Sequence, residues 1–211
     1  MNDYLINKER RMATERLDTN TRKEQIKEAV LEIISTEGIG KLSIRNLASK
    51  IGVTEGALFR HFSSKKEIML SILDDVKKEL LSEQEKITFS SDLSAEEKLF
   101  KFLCVHITYL IENKGITILL FSEAAHLNDQ QLKKSLREIL LTQKEYIRKI
   151  IKQGMNEGVW NDSLDIDNVA TLYMGIPVLL NIEMTLNPDA QKQEKFCENM
   201  IRLIKKVLEK K

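Results

Sequence analysis

Hydrophobic residues recur along this chain at the three- and four-residue spacing of helices that hide one face. Ile26, Ala29, Val30, Ile33 and Ile34 form the first stripe, opened by the capping pattern Thr21-x-x-Glu24 and ended by Gly38 and Gly40. Two short apolar groups follow: Ile44, Leu47 and Ala48, then Ala57 and Leu58, with Gly52 between them. Ser43 and Thr54 stand where each short helix needs an N-cap, and Gly52 where a tight turn needs positive φ. Ile68, Ile72, Val76 and Leu80 then line a helix from Ser64-x-x-Glu67 to about Leu81, and residues 82–94 read as a polar connector.

Ser94-x-x-Glu97 opens the next helix, with Leu99, Phe102, Leu103, His106 and Leu110 inward, and Asn113-Lys114-Gly115 stops it. A short, very apolar helix runs from Ile116 to Leu127. After a break at Asn128-Asp129, a long helix reaches Glu157, with Leu132, Leu136, Ile139, Leu140, Ile147, Ile150 and Ile151 inward and Gly154 and Gly158 loosening its end. Asp165 caps a helix to about Leu186, apolar on more than one side from Val169 to Met184 and bent by Pro177. Asn187-Pro188 marks a restart, and Phe196, Met200, Leu203, Ile204 and Val207 stripe a final helix. The expectation is an all-α protein of about nine helices. Residues 1–18 are a flexible N-terminal arm bearing Arg10, Arg11 and Arg16, residues 19–66 a small head, and residues 67–211 a larger body.

The two short helices are too short to stand alone and must pack on neighbours around their tight turn, which is the helix-turn-helix arrangement. Its second helix enters a DNA major groove. Charge agrees. Between Lys41 and Lys66 six Lys/Arg face one acid, Glu55, on a chain whose formal net charge is only +1. A basic head on a slightly acidic body fits a polyanion-binding module carried by a domain with another task.

Composition narrows the classes. With 211 residues and 42% hydrophobic content the chain can bury a sizeable core, and eight glycines and two prolines favour helix. Cys104 and Cys197 have neither disulfide-framework nor zinc spacing and read as small buried hydrophobes. No apolar run reaches membrane-span length and the polar N-terminus is no signal peptide, so a cytoplasmic protein without a membrane partner is expected. An enzyme is not expected: there is no glycine-rich phosphate loop, no HExxH and no CxxC. Cys104 and His106, two apart on a helix, point different ways. Glu123 and His126 are spaced to share a metal, but one such pair is outweighed by an ordinary surface or core role. No catalytic residue, metal or cofactor is assigned.

From Thr21 to about Ile68 the chain resembles the DNA-binding domain of the TetR (tetracycline-repressor) family of bacterial regulators. The resemblance is carried by Ala29, Gly38, Leu42-Ser43-Ile44-Arg45, Leu47-Ala48, Ile51-Gly52-Val53-Thr54, Gly56-Ala57-Leu58-Phe59, His61-Phe62 and Ser64-Lys65-Lys66-Glu67. It implies a homodimeric repressor, released from a palindromic operator in double-stranded DNA by a small apolar or amphipathic effector. The alternative on the same fold is a DNA-organising or protein-interaction module with no small ligand. Arg45, Glu55 and Gly56 then occupy base-facing positions, where Arg45 can pair with guanine and Glu55 can accept from a cytosine amino group. Ser43, Thr54, Phe59, His61 and Lys65 occupy phosphate positions. Phe59 replaces the family's usual tyrosine and cannot donate a hydroxyl.

In relatives of this fold the last two helices form the dimer interface, which carries over to Leu172, Ile176, Leu179, Phe196, Met200, Leu203, Ile204 and Val207, although Leu172, Ile176 and Leu179 suit intrachain core equally. Helical faces and the family analogy together give Phe102, His106, Tyr109, Leu120, Phe121, Ile147 and Met174 as candidate lining of an effector cavity, each of which also suits plain core.

Overall fold

A computed structural model describes residues 19–187 and 195–209. These residues form nine α-helices and no strand. The chain divides into two compact units between Ile72 and Leu73.

In the first unit, α1 (Thr19–Glu37) leads through a short 3-10 turn (Ile39–Lys41) to α2 (Ile44–Ile51) and α3 (Glu55–Phe59). α1 already begins at Thr19, so Thr21 lies inside the helix and does not open it. Its buried face, with Ile26, Val30, Ile33 and Ile34, meets Leu42, Leu47 and Ala48. Ala29, Leu58, Phe62, Ile68, Met69 and Ile72 complete the unit's buried apolar set among the described residues.

α4 (residues 65–89) is one continuous helix in three parts: α-helical Lys65–Val76, a π-helical turn Lys77–Leu81, and α-helical Ser82–Phe89. Only half of the Ser64-x-x-Glu67 capping box forms. Glu67 N donates to Ser64 Oγ at 3.2 Å, but the Glu67 carboxylate turns to the N–H and hydroxyl of Ser63. Residues 82–89 are not the expected connector. They are polar by sequence, yet Gln84, Ile87 and Thr88 are buried against the next helix.

The second unit is built around α7 (Gln130–Asn156), capped by Asp129. It packs on the end of α4, on α5 (Ala95–Glu112), on α6 (Ile116–His126) and on α8 (Ile166–Leu186). α9 (Phe196–Leu208) lies on α5. The full capping box of Ser94 and Glu97 starts α5, and Asp165 accepts from Asn168 N at 2.9 Å to start α8. Trp160, Tyr173 and Phe102 are fully buried, and Tyr173 Oη donates to the Leu99 carbonyl at 2.6 Å. Leu140, expected on the inner face of α7, is exposed. Gly154 does not loosen α7: a Cβ there would lie 2.1 Å from the Trp160 ring, so the glycine makes the ring's seat. Gly158 supplies a positive φ of 74° just beyond the helix.

α8 corrects a further expectation. Polar residues such as Asn181 and Glu183 interrupt its sequence, yet its 21 residues include an 18-residue window of mean hydropathy 1.5, long and apolar enough by composition to cross a membrane. One third of that window is buried. Pro188, the expected start of the restart after α8, lies outside the described residues, as does the arm of residues 1–18.

Candidate nucleic-acid interface

The geometry of α2 and α3 follows from local hydrogen bonding. Ser43 Oγ accepts from Asn46 N at 3.1 Å, and Thr54 Oγ1 accepts from Ala57 N at 3.1 Å. Each cap satisfies an N–H that the helix itself leaves unpaired and is worth about 1 kcal/mol. Gly52 takes φ 72° and ψ 32°. Its N–H reaches the Ser49 carbonyl and the Val53 N–H reaches that of Ala48, the paired closure of a helix ending on left-handed glycine. A side chain at Gly52 would carry the left-handed penalty of about 1–2 kcal/mol. The short turn and the buried Leu47, Ala48 and Leu58 therefore fix which residues of α2 and α3 face outward.

Those residues include the three predicted to face bases. Arg45 lies on the exposed side of α2, and Glu55 and Gly56 are exposed on the first turn of α3. Gly56 has ordinary backbone angles, and a Cβ added to it would meet nothing within 4 Å. The protein's own packing therefore gives no reason for glycine there. Ser43, Thr54 and Phe59 are also exposed, while His61 and Lys65 are half-buried. Lys65 Nζ comes to 3.5 Å from the carbonyl of Ile39.

His61 Nδ1 is buried without a hydrogen-bond partner. Burial, then the positive charges of Arg22, Arg60 and Lys23, hold its imidazole below the ordinary value of 6.5. Glu67 is also held below the carboxylate range, by its hydrogen bonds from Ser63.

The body separates its candidate residues. Phe102, His106, Tyr109, Leu120, Ile147 and Met174 are all buried, as packed core, and Phe121 lies on the outer face of α6 with its ring exposed. Phe121 is therefore struck from the enclosed set. An open groove of about 390 Å³ lies elsewhere, between the end of α4 and α5, lined by residues including Lys86, Ile87, Phe100, Cys104 and Val105. None of the predicted lining residues borders it.

The predicted dimer residues divide as well. Leu172, Leu179, Leu203 and Val207 are exposed. Ile204 is buried in its own chain's core and cannot face a partner, while Ile176, Phe196 and Met200 are half-buried against that core. Val178, Ile182 and Leu186 add exposed apolar surface on α8 that the sequence reading missed. The Cys104 and Cys197 thiols approach closely enough to hydrogen-bond, and burial and that contact push Cys104 up, against thiolate chemistry. Among the described residues no cluster of three or more metal-ligating side chains forms.

Comparison with known proteins fits this geometry. Residues 26–72 match the family described as bacterial regulatory proteins, tetR family, and residues 92–178 match the tetracyclin repressor-like C-terminal domain. The fatty acid metabolism regulator protein of Bacillus subtilis is 22% identical over 185 residues, 88% of this chain and 91% of that protein. The nucleoid occlusion factor SlmA of Vibrio atlanticus is 24% identical over 135 residues, 64% of this chain and 68% of the relative. The structure of the ketosteroid transcriptional regulator KstR2 of Mycobacterium tuberculosis superposes with a TM-score of 0.75 at 17% identity, over 90% of this chain and 96% of that one. With head and body both matched, the chain belongs to the TetR family of bacterial transcriptional regulators.

Proposed function

We propose that this regulator is a cytoplasmic homodimeric repressor that reads a palindromic operator with α2 and α3 and is released by a small apolar or amphipathic ligand held in the body. The observation that carries the reading is the outward set of Arg45, Glu55 and Gly56. Two of these offer groups that pair with base edges, and the third is a glycine that nothing in the fold requires. A glycine of that kind has its use where a backbone presses on another molecule. Ser43, Thr54, His61 and Lys65 surround the set and serve the phosphates, which fix position and not sequence. Phe59 packs its ring there without donating. Since one short helix reads only a few base pairs, two copies reading half-sites one helical turn apart are needed, and the apolar faces of α8 and α9 supply a surface for pairing.

Release follows from linkage. A ligand that favours an arrangement of the two heads unsuited to the operator weakens DNA binding, and DNA weakens the ligand by the same factor. α4 belongs to both units and is the element through which such a change passes. Selection of bound sequences from random duplexes tests the reading. A palindrome with two half-sites is expected, and no sequence preference would overturn it.

The second reading, a DNA-organising or protein-binding role without a small ligand, is favoured by the likeness to a nucleoid occlusion factor and by the packing of the predicted cavity residues as core. A clear palindrome together with a body that binds none of a broad panel of apolar compounds would favour it.

A further inference from the structure

Cys104 of α5 and Cys197 of α9 are the chain's only cysteines, and they meet. The meeting follows from helix register. α9 lies on α5, and Lys205 Nζ reaches Glu96 Oε2 at 2.8 Å. Lys205 is in the last turn of α9 and Glu96 in the first turn of α5, so the two helices run antiparallel. Cys104 stands eight residues after Glu96, and Cys197 eight residues before Lys205. Equal steps of about 12 Å in opposite chain directions bring the cysteines level. Eight residues is two steps of four, which keeps each cysteine near the face that carries its helix's half of the ion pair.

The thiols are within hydrogen-bonding reach of each other, and both sulfurs bear on the buried hydroxyl of Tyr173. Both cysteines are half-buried, and Cys104 lines the open groove, which gives a small oxidant a path from solvent. Thiols already in contact across two packed helices need close by only about 2 Å to reach the bonded separation.

We infer that Cys104 and Cys197 are a reversible redox couple: a hydroperoxide converts them to a disulfide that ties α9 to α5, and this weakens operator binding. The regulatory half rests on the pairing role of α8 and α9 proposed above. Leu203 and Val207 are exposed on α9 and move with it, so drawing α9 towards α5 displaces the pairing surface.

The first attack falls to Cys197, in the first turn of α9, where unpaired helix N–H groups favour a negative sulfur. Burial, the contact with Cys197 and the carboxylate of Glu198 keep Cys104 protonated, which leaves it the second step. The Cys197 thiolate attacks one oxygen of the hydroperoxide and the O–O bond breaks. The other oxygen leaves with the thiol's proton as an alcohol or water, and a sulfenic acid remains. The Cys104 sulfur then attacks Cys197 Sγ, the S–O bond breaks, and hydroxide leaves with the Cys104 proton as water. The two thiols lose two electrons and the hydroperoxide gains them. In a reducing compartment such a bond is transient, which suits a switch.

The test treats full-length protein with hydrogen peroxide, removes the oxidant, and reads intact mass, free thiols and peptide maps. The expected product has lost two hydrogen atoms, has no free thiol and yields a linked Cys104–Cys197 peptide. Its melting temperature should rise by several degrees, since the bond closes a loop of roughly 90 residues. Affinity for the selected operator should fall at least about fivefold and recover with dithiothreitol. Cys104→Ser and Cys197→Ser should each bind operator as the reduced protein does, and peroxide should neither raise their melting nor weaken their binding. Oxygen added to the cysteines without linkage, or a disulfide between chains, overturns the couple. A linked peptide with operator affinity unchanged overturns the switch. Reduced protein with no sequence preference overturns the repressor reading, and the regulatory half with it, while the linked peptide still decides the couple.

Discussion

At the scale of single residues, Arg45, Gly56 and His106 separate function from stability. Arg45 is exposed and bonded to nothing the fold needs, so Arg45→Ala should leave melting unchanged and weaken operator binding by about 1–3 kcal/mol, with little effect on random duplex. Titration of both DNAs across a salt series checks this; equal losses on both would remove Arg45 from the base-facing set. Gly56→Ala adds a methyl group to open space in a helix, which should hold or raise stability by up to about 1 kcal/mol while lowering operator affinity. Paired melting and binding curves would show the two effects with opposite sign. His106 titrates near 6.5 in an unfolded chain, and burial lowers it to about 4 in the fold. The folded state therefore binds fewer protons, so the contribution is complete above pH 6.5 and is lost as pH falls towards 4, by roughly 3 kcal/mol. His61 shifts the same way, so the difference between wild type and His106→Leu in melting temperature over that window isolates His106.

At the scale of elements, what was legible and what was not divide by the range of the interaction. The caps at Ser43, Thr54, Ser94 and Asp165 use hydrogen bonds three residues long, and each forms as the spacing predicts. The outward positions of α2 and α3, with Arg45, Glu55 and Gly56, were legible for the same reason, since a short helix with one buried face leaves little choice of outward side. The end of α4 was not. Gln84 and Thr88 look like connector residues until α5 and α7 are placed against them, and the Gln84 amide finds its partner 59 positions away on Gln143. Ile204, expected at the dimer surface, is buried in its own chain, and Leu140, expected on the inner face of α7, is exposed, because adjacent apolar positions on an amphipathic helix are decided by which neighbour is nearer. Gly154 was legible only as a weak point in α7. Its reason is the Trp160 ring, which folds back from the following loop onto the bare Cα. Gly154→Ala should therefore destabilise the body by about 1–3 kcal/mol, although alanine is the better helix former by about 1 kcal/mol. Thermal unfolding checks the sign, and a stabilised variant would show that Trp160 has room to move.

At the scale of the whole molecule, α8 and α9 present an apolar surface that their own chain leaves uncovered. An apolar helix with only a third of its most hydrophobic window buried is costly to leave in water, and the exposed leucines Leu172, Leu179 and Leu203 extend that surface across both helices. Pairing by a two-fold axis sets the same patch of each chain against the other, which needs no second protein and gives the symmetry a palindrome requires. Neighbouring residues of α9 make the test sharp. Leu203 is 55% exposed, whereas Ile204 is 5% exposed and packed inside its own chain. Leu203→Glu puts a charge into the pairing surface without touching the core, so it should yield a folded monomer with unchanged melting cooperativity and little operator affinity, because a single half-site is held weakly. Ile204→Ala removes core volume instead and should cost about 2–5 kcal/mol of stability while the folded fraction stays paired and bound to operator. Sedimentation velocity at micromolar concentration, with operator titrations on the same samples, distinguishes the two. A Leu203→Glu protein that still sediments as a dimer and binds DNA as before would move the pairing surface off α9, and with it the link between these two helices and the spacing of the heads.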